Sequence, residues 1–360
     1  MKVMSIFGTR PEMIKMWSTL KKLDDLNFEH IMVHTGQNYT PELRDFFFRD
    51  LKLRKPDFEL NIDTSSYGKE VADVIAKADD LFVKVKPDAL LILGDTYSGL
   101  SVMPATHRGI KTFHMEAGLR AWDTRMPEQR NRMLIDHMSS VLLPFNQYHR
   151  ENLIRENIHP SKIFVTGNPT YEVMRHFQPQ IDDCDILKRL NLSKGEYLLV
   201  TAHRSENVDN PKTLAGIIYA LGEIAAKHKR EVIYPMHPRT KSKIHDLTIP
   251  KGIRIMDPLG FYDFNRLLAD SWCIVSDSGT ASEEALFYKV PCVSLRMTTE
   301  RPETVEAGGN IIAGLEAQDL IESVDIAVSQ PWGCRYDLNE NFTASSVVVN
   351  AIRSKITNFF

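Results

Sequence analysis

The chain has 360 residues, of which 43% are hydrophobic and 25% charged, a composition typical of a globular protein with more than one domain. Its net charge of −3 excludes a general electrostatic attraction to nucleic acid or to an anionic membrane. The apolar run before Gly8 is too short for a signal peptide, and no stretch approaches the roughly 20 apolar residues of a membrane helix.

The four cysteines are far apart and form no CxxC pair; they are Cys184, Cys273, Cys292 and Cys334. The chain also lacks the HxxxH and HxE…CxxC spacings of zinc sites. We therefore expect a protein of the reducing cytoplasm, with no structural disulfide and no metal site.

In the first half of the chain, short apolar runs alternate with helical patterns. The runs cover 2–7, 30–35, 89–93, 111–115, 141–143 and 163–166, and helical periodicity is found near 13–20, 41–50 and 71–85. The runs do not alternate between apolar and polar residues, which favours parallel strands covered on both faces. Ligands bind beyond the carboxyl ends of such strands, where Gly8, Gly36, Gly94, Glu116 and Gly167 fall.

A second strand and helix series follows a polar helical segment that reaches to about residue 194. Its apolar runs cover 197–202, 232–236, 252–256, 272–276 and 290–295. We predict an α/β fold of two Rossmann-like domains that face each other across a cleft. The predicted domains are 1–168 and 169–339, and a last helix within 340–360 is predicted to pack back on the first.

The first strand exit reads Gly8-Thr9-Arg10-Pro11-Glu12 and opens a helix. Pro11 suits a first helical turn, and a glycine turn at a helix N-terminus makes a natural anion site. Arg10 and Lys15 would add positive charge to it. Neither the Walker pattern nor GxGxxG is present.

The segment 114–132 combines acids and arginines just after an apolar strand. It contains Glu116, Asp123 and Glu128 among Arg120, Arg125, Arg130 and Arg132, and Asp95 follows a neighbouring strand. A solvated loop with weak surface ion pairs is the competing interpretation. Because the pattern recurs at many strand ends, we favour a site for an anionic substrate that undergoes proton transfer. His114 lies inside the strand and is predicted to be packed or hydrogen-bonded.

Four strand exits in the second half carry similar chemistry. After one of them, Ser278 is a helix cap, Gly279 lets a phosphate approach the backbone, and Glu284 can accept hydrogen bonds from a sugar diol. Arg301, beyond another strand, is a candidate phosphate ligand. His203 is a candidate acid catalyst or phosphate ligand, and His237 with Arg239 repeats its pattern on the next strand.

Eight motifs occur in one order along nearly the whole chain. They are Gly8-Thr9-Arg10-Pro11-Glu12, Gly94-Asp95, His114-x-Glu116-Ala117-Gly118-Leu119-Arg120, Pro127-Glu128-x-x-Asn131-Arg132, Gly167-Asn168, His203-Arg204-x-Glu206-Asn207, Asp277-Ser278-Gly279-x-x-x-Glu283-Glu284 and Thr299-Glu300-Arg301-Pro302-Glu303. Together they closely resemble the non-hydrolysing UDP-N-acetylglucosamine 2-epimerases. The resemblance implies a GT-B-like pair of domains and a homodimer. It also implies interconversion of UDP-GlcNAc and UDP-ManNAc without a cofactor, for a surface polysaccharide, with no nucleic-acid or membrane partner.

The implied reaction removes the C2 proton, eliminates UDP to 2-acetamidoglucal and adds UDP back with a proton on the opposite face. The resemblance assigns catalysis to Asp95, Glu116, Glu128 and His203. Substrate binding falls to Arg10, Lys15, Arg132, His237, Phe261, Ser278, Gly279, Glu284 and Arg301, with Phe261 as a wall for uracil and Glu284 on the ribose. Which carboxylate removes the proton in each direction stays open.

Two departures from the family pattern have consequences. Where bacterial members often have histidine and arginine for binding an activating second substrate molecule, this chain has Asn38 and Ser205, which predicts weak or absent activation. The unusual segment 121–126 indicates that the substrate could instead be a modified sugar, 6-deoxy or 2,3-diacetamido. A hydrolysing epimerase, a GT-B glycosyltransferase and a non-catalytic nucleotide-sugar sensor compete with this assignment. The intact set of acids favours an epimerase over the glycosyltransferase and the sensor, and only the detail of the motifs favours the non-hydrolysing type over the hydrolysing one.

Overall fold

The computed structural model describes residues 1–37, 48–123, 126–245, 247–330 and 343–354. The chain divides into two compact units, one formed by Met1–Arg175 with Glu340–Phe360 and the other by His176–Asn339. Asn38, Arg125, Cys334 and most of the helix predicted at 41–50 lie outside the described residues. Each unit contains one parallel sheet of six strands.

The strands of the first unit are β1 (Lys2–Phe7), β2 (Glu29–His34), β3 (Phe58–Glu59), β4 (Ala89–Leu93), β5 (Lys111–Met115) and β6 (Val141–Leu143). Their order in the sheet is 3-2-1-4-5-6, and all pair in parallel. Every residue of β4 and β6 is buried, which explains why these strands read as unbroken apolar runs.

The helices of this unit are α1 (Arg10–Asp25), α2 (Tyr67–Val85), α3 (Val102–His107), α4 (Pro127–Met138) and α5 (Gln147–Arg155), with 3-10 turns at Tyr97–Ser101 and Pro160–Lys162. Proline in the first turn of α1 and α4 leaves no hydrogen bond unmade. Ser66 caps α2 at its start, and left-handed Lys86 ends it. Helix α6 (Pro169–Asp182) contains the division between the two units.

The second unit has strands β7 (Tyr197–Thr201), β8 (Glu231–Pro235), β9 (Ile253–Met256), β10 (Cys273–Ser276), β11 (Cys292–Ser294) and β12 (Asn310–Ile312). The helices are α7 (Ile186–Leu190), α8 (Ser205–Val208), α9 (Pro211–His228), α10 (Pro238–Lys241), α11 (Phe261–Ala269), α12 (Gly279–Tyr288), α13 (Pro302–Glu306) and α14 (Ala317–Ser329). The sheet order is 12-11-10-7-8-9, which read from β9 is the same winding as in the first unit.

The last described helix, α15 (Ala344–Arg353), returns to the first unit. The backbone amide and the hydroxyl of Ser345 donate to the Glu172 carboxylate at 3.0 and 2.6 Å. Lys22 of α1 donates to Ser346 at 2.7 Å. These bonds attach the end of the chain to a unit whose sheet was completed about 200 residues earlier along the sequence.

The α/β class and ten of the strands agree with the sequence prediction, with three differences. Residues 163–166 form only an isolated bridge from Ile163 to Leu142 instead of a strand. Strands β3 and β12 were not predicted. The boundary predicted between residues 168 and 169 coincides with the start of α6, and the division between the two compact units lies within that helix. Among the described residues, no helix is both long and apolar enough to span a membrane.

Candidate active site

In both sheets the strand order reverses beside the first strand, between β1 and β4 in one unit and between β7 and β10 in the other. Such a reversal opens a crevice at the carboxyl edge, where open α/β sheets bind ligands. Arg10 and Lys15 follow β1, and Asp95 follows β4. His203 follows β7, and Ser278 follows β10. The topology thus places sequence-predicted residues at the reversal point of each unit.

Glu12 joins the two loops at the reversal point of the first unit. Its Oε2 accepts from the Gly8 amide and from the amide and hydroxyl of Thr9 at 2.7–3.1 Å, and its Oε1 accepts from the Thr96 hydroxyl at 2.9 Å. Burial raises the pKa of Glu12 to about 7, although these hydrogen bonds oppose the shift. The sequence did not identify Glu12 as a residue that joins these two loops, because it does not show where the Glu12 carboxylate points.

Lys15 and Glu116 form a buried ion pair. The Lys15 ammonium lies 2.6 Å from Glu116 Oε2, and the two side chains are 2% and 8% exposed. The same ammonium lies 5.6 Å from the centroid of the Phe145 ring. Glu116 itself has a φ of 65°, which is strained for a residue with a side chain. The positive charge of Lys15 thus offsets the cost of burying the ionised Glu116 carboxylate.

Asp95 is the second predicted acid with a cation beside it. Arg132 contacts Asp95 Oδ2 through Nε at 2.6 Å and through Nη2 at 2.5 Å. The Asn131 side chain donates to the Asp95 carbonyl at 3.0 Å. Arg132 is buried, whereas the Asp95 side chain is 19% exposed. Arg132 and Asn131 of α4 therefore hold Asp95 in place, while its carboxylate remains partly accessible to a ligand.

Glu128 and Arg10 are both half-buried. Glu128 stands in the first turn of α4 and forms no ion pair with any residue that the structure describes. Burial raises the pKa of Tyr97, and the negative charges of Glu70 and Glu128 raise it further. Glu128 therefore lies close enough to the Tyr97 phenol for its negative charge to oppose ionisation of that phenol.

His114 is fully buried and hydrogen-bonded, which confirms its predicted structural role. One ring nitrogen contacts Asp136 Oδ1 at 2.8 Å, and the other contacts the Gly94 carbonyl, also at 2.8 Å. The Gly94 carbonyl directly precedes Asp95. His114 therefore contacts the backbone next to a candidate catalytic acid, and its own side chain is fully buried.

Asp277 organises the exits of the second sheet. Its Oδ2 accepts from the backbone amides of His203 and Arg204, both at 2.8 Å, and from the Asn207 side chain at 3.0 Å. His203 Nδ1 lies 3.6 Å from Asp277 Oδ1, and its side chain is 45% exposed. The rings of His203 and His237 are 5.8 Å apart. The exits of β7, β8 and β10 thus converge on two accessible imidazoles.

The N-terminus of α12 has the features predicted for phosphate binding. Ser278 is the cap, and its hydroxyl accepts from the Ala281 amide at 3.4 Å. A Cβ built on Gly279 would lie only 2.8 Å from Glu300 Oε1, so a side chain at this position would displace that carboxylate. Glu284 is buried one turn further along the helix, and burial together with its charge raises the pKa of Tyr288.

Arg301 belongs to a buried set of charges that sequence reasoning did not foresee. Its Nε lies 2.7 Å from Glu283 Oε1, and Arg296 contacts Glu300 at 2.6 and 3.0 Å. Burial raises the pKa of Glu303 to about 7, with Arg301 opposing the shift. Any phosphate that reached Arg301 would therefore share it with Glu283.

Phe261 does not fit the predicted role of a ring that stacks on uracil. The side chain has no exposed surface and packs edge-on against Phe177 and Tyr262 at 5.7 and 5.6 Å between centroids. A stacking wall requires exposed ring surface. The sequence identifies Phe261 as apolar at a strand exit but does not show that its ring turns inward at the start of α11.

Within the described parts of the chain, no three histidine, cysteine, aspartate or glutamate side chains are grouped so that they could hold a metal ion. Three of the four cysteines are described, and Cys184, Cys273 and Cys292 are free thiols. The described strand ends offer carboxylates with adjacent cations, exposed imidazoles and a helix N-terminus, which are groups suited to acid–base and electrostatic chemistry.

The family model of UDP-N-acetylglucosamine 2-epimerase matches residues 21–344. The UDP-N-acetylglucosamine 2-epimerase of Methanocaldococcus jannaschii is 36% identical, over 92% of this chain and 93% of its own length. The UDP-2,3-diacetamido-2,3-dideoxy-D-glucuronate 2-epimerase of Pseudomonas aeruginosa is 33% identical, over 90% of this chain and 91% of its own. The crystal structure of the M. jannaschii enzyme with UDP-GlcNAc and UDP superposes with a TM-score of 0.92 at 33% identity, covering 98% of this chain and 100% of that one.

Proposed function

The chain belongs to the UDP-N-acetylglucosamine 2-epimerase family, and from this premise we propose that it interconverts UDP-GlcNAc and UDP-ManNAc. The observation that carries the proposal is the pair of acids at the ends of the adjacent strands β4 and β5. Asp95 and Glu116 each have their own buried cation, Arg132 and Lys15. Epimerisation needs a proton removed from one face of C2 and returned to the other, and two separately held carboxylates suit that task.

The reaction begins when one carboxylate removes the C2 proton and UDP leaves from C1 in an anti elimination. The products of this step are 2-acetamidoglucal and UDP. UDP then adds back to C1 while a proton is delivered to the opposite face of C2, which gives the epimer. A C2 proton is weakly acidic, so its base must be close and partly desolvated. The side chains of Glu116 and Asp95 are only 8% and 19% exposed. Glu128 completes the set of acids.

The departing UDP carries extra negative charge that cations and helix N-termini stabilise. We assign this role to Arg10, Lys15, Arg132, His203, His237, Arg301 and the backbone at Ser278 and Gly279. The His203 side chain is nearly half exposed and is therefore accessible to a ligand. Glu284 is assigned to the ribose hydroxyls, and Phe261 supports the start of α11 from the core. No nicotinamide cofactor takes part.

Two neutral substitutions test the catalytic assignment. Asp95→Asn and Glu116→Gln keep the size of each side chain and remove its ability to take a proton. We expect epimerisation to fall by about 10²–10⁴-fold in each variant, the range that acid–base catalysis contributes. UDP binding, measured by calorimetry, should stay within a few-fold of the wild type. Near-wild-type rates in both variants would contradict the assignment.

The second candidate is 2-epimerisation of a modified UDP-sugar. It is supported by the P. aeruginosa relative, whose name gives a 2,3-diacetamido sugar acid, and by the unusual segment 121–126. Trp122 in this segment is 64% exposed and has a φ of 57°. A comparison of kcat/KM for UDP-GlcNAc, its 6-deoxy analogue and the 2,3-diacetamido sugar separates the candidates. A preference of tenfold or more for a modified sugar, equal to about 1.4 kcal/mol, would replace the first assignment.

We propose that UDP is added back to the sugar and is not replaced by water, as in the non-hydrolysing type that the motifs resemble. We also infer a homodimer in the cytoplasm that supplies a surface polysaccharide, as members of this type do. Free ManNAc together with UDP among the products would show hydrolysis. Light scattering of the purified protein decides between a monomer and a dimer.

A further inference from the structure

A buried hydrogen-bond network lies behind the two strand ends that carry Asp95 and Glu116. His114 of β5 stands opposite Ile92 of β4 in the sheet register. From there its ring bridges Asp136 and the Gly94 carbonyl, at 2.8 Å to each. The carbonyl can only accept, so the ring nitrogen that faces it carries a proton. A side chain of β5 thus fixes the backbone next to Asp95.

Asp136 extends the network to the loop that contains Glu116. Its Oδ2 accepts from the Gly118 amide at 3.1 Å and contacts Arg120 Nη2 at 2.8 Å. Burial opposes ionisation of this carboxyl, but the hydrogen bond from His114 and the charge of Arg120 outweigh it and hold the pKa of Asp136 below its usual range. Arg120 is in turn held by Glu156 at 2.6 and 2.7 Å.

The loop that the network holds has a strained backbone. Glu116 and Gly118 both have positive φ values, 65° and 80°. A Cβ on Gly118 would overlap the carbonyl of His149, so the loop is pressed against α5. A glutamate adopts this conformation only when its surroundings impose it. The Asp136 bond to the Gly118 amide holds the loop two residues beyond Glu116.

We propose that His114, Asp136 and Arg120 are positioning residues that set the placement of the Asp95 and Glu116 carboxylates relative to each other. None of the three is a catalytic residue, because His114 and Asp136 act through the backbone at Gly94 and Gly118, and Arg120 acts through Asp136. The inference rests on the proposed epimerase function. It goes beyond that function by predicting that the balance of proton return between the two faces of C2 depends on residues remote from the sugar.

The test is Asp136→Asn, which keeps the shape of the side chain and removes its charge. We expect kcat for UDP-GlcNAc to fall on the order of 100-fold, the effect of a misplacement of about 1 Å, with KM changed by less than about twofold. In heavy water, the ratio of deuterium at C2 in recovered substrate to that in product should shift about threefold or more. The affinity for UDP should stay within about twofold, because the His203 and Gly279 loops are untouched.

Ser345→Ala is the matched control, since it removes a partly buried hydrogen bond in the same unit, to Glu172, away from these loops. It should lower the melting temperature without changing kcat or the deuterium ratio. If Asp136→Asn does not fold, Arg120→Lys is measured in its place. This variant keeps the positive charge beside Asp136 and loses the two-pronged contact with Glu156. Wild-type kcat and deuterium ratio in a folded variant would overturn the positioning role. Absence of C2 exchange in the wild type would overturn the epimerase assignment and this inference with it.

Discussion

Lys15 and Glu116 are 101 positions apart in the sequence and 2.6 Å apart in the fold. Removing one member of a buried pair leaves the other charge without compensation, which is far more costly than losing a surface pair. In Lys15→Met the Glu116 carboxyl would favour its protonated form and could no longer accept a proton. We expect kcat at pH 7 to drop by about 10²-fold or more and to recover partly as the pH is raised. Initial rates across pH 6–10 measure this, and a rate independent of Lys15 would contradict the role of the pair.

Glu12 makes a prediction about stability. Its pKa is 4.5 ordinarily and about 7 in the folded protein, so between these values the folded state binds more protons than the unfolded state. Its contribution to the free energy of unfolding is therefore present at low pH and is lost as the pH rises through about 7. In Glu12→Gln, urea unfolding should show a flatter pH dependence over this window. Glu223→Gln, on an exposed position of α9, should leave the wild-type slope unchanged.

At the scale of single residues, the sequence predicts which side chains stand at strand ends but not what they touch. His114 was predicted to be buried and hydrogen-bonded from its place inside an apolar run, and this is confirmed. The partners of Arg301 and Lys15 were not foreseen, because each pairs with an acid from a distant part of the chain. Phe261 was predicted as a wall for uracil, and its ring is buried, because the direction of a side chain depends on packing that periodicity does not report.

Helix α12 is the element whose start matters most for the nucleotide. In Gly279→Ala, the new Cβ would meet Glu300 Oε1 at 2.8 Å and would occupy the approach to the first turn. We expect UDP affinity to fall about tenfold or more, because phosphate binding at a helix N-terminus needs close approach to the backbone.

The control for this prediction is Gly216→Ala within α9 of the same unit. A Cβ there meets nothing within 4 Å, so this variant should gain up to about 1 kcal/mol of stability and keep its UDP affinity. Calorimetric titration of UDP into both variants compares them. Equal affinity in Gly279→Ala and the wild type would remove α12 from the nucleotide site.

At the scale of elements, the buried central strands were predictable because they are continuous apolar runs bounded by glycine or polar residues. Strand β3 has only two residues, Phe58 and Glu59, at the edge of its sheet, and β12 has three, so neither produces a run that stands out. Residues 163–166 have the composition of a strand but lie beside β6 with a single bridge. Their pairing is decided by the tertiary context, which strand propensity does not contain.

At the scale of the molecule, the two sheets share one winding order, and this order explains why Arg10, Asp95, His203 and Ser278 follow the four strands that flank the two reversals. The sequence predicts the α/β class because strands and helices alternate along the chain. The order of the strands within each sheet cannot be read directly from the sequence. The ordered motifs therefore indicate the site independently of the sheet order.

The same resemblance predicts how the enzyme responds to its substrate. Asn38 and Ser205 replace the histidine and arginine that members with substrate activation often have. Of the two, only Ser205 lies in the described part of the structure, as the first residue of α8. We expect initial rates against UDP-GlcNAc to follow a hyperbola with a Hill coefficient of about 1. Sigmoidal rates would show that an activating second molecule binds despite these replacements.

Proton NMR of UDP-GlcNAc with the enzyme in heavy water tests the proposed C2 epimerisation. We expect loss of the C2 proton signal together with the appearance of UDP-ManNAc, because the C2 proton exchanges with solvent and UDP is returned to the sugar. Free ManNAc and UDP would contradict the retention of UDP. A C2 proton that stays in place in UDP-GlcNAc and in both modified UDP-sugars would contradict the epimerase chemistry itself.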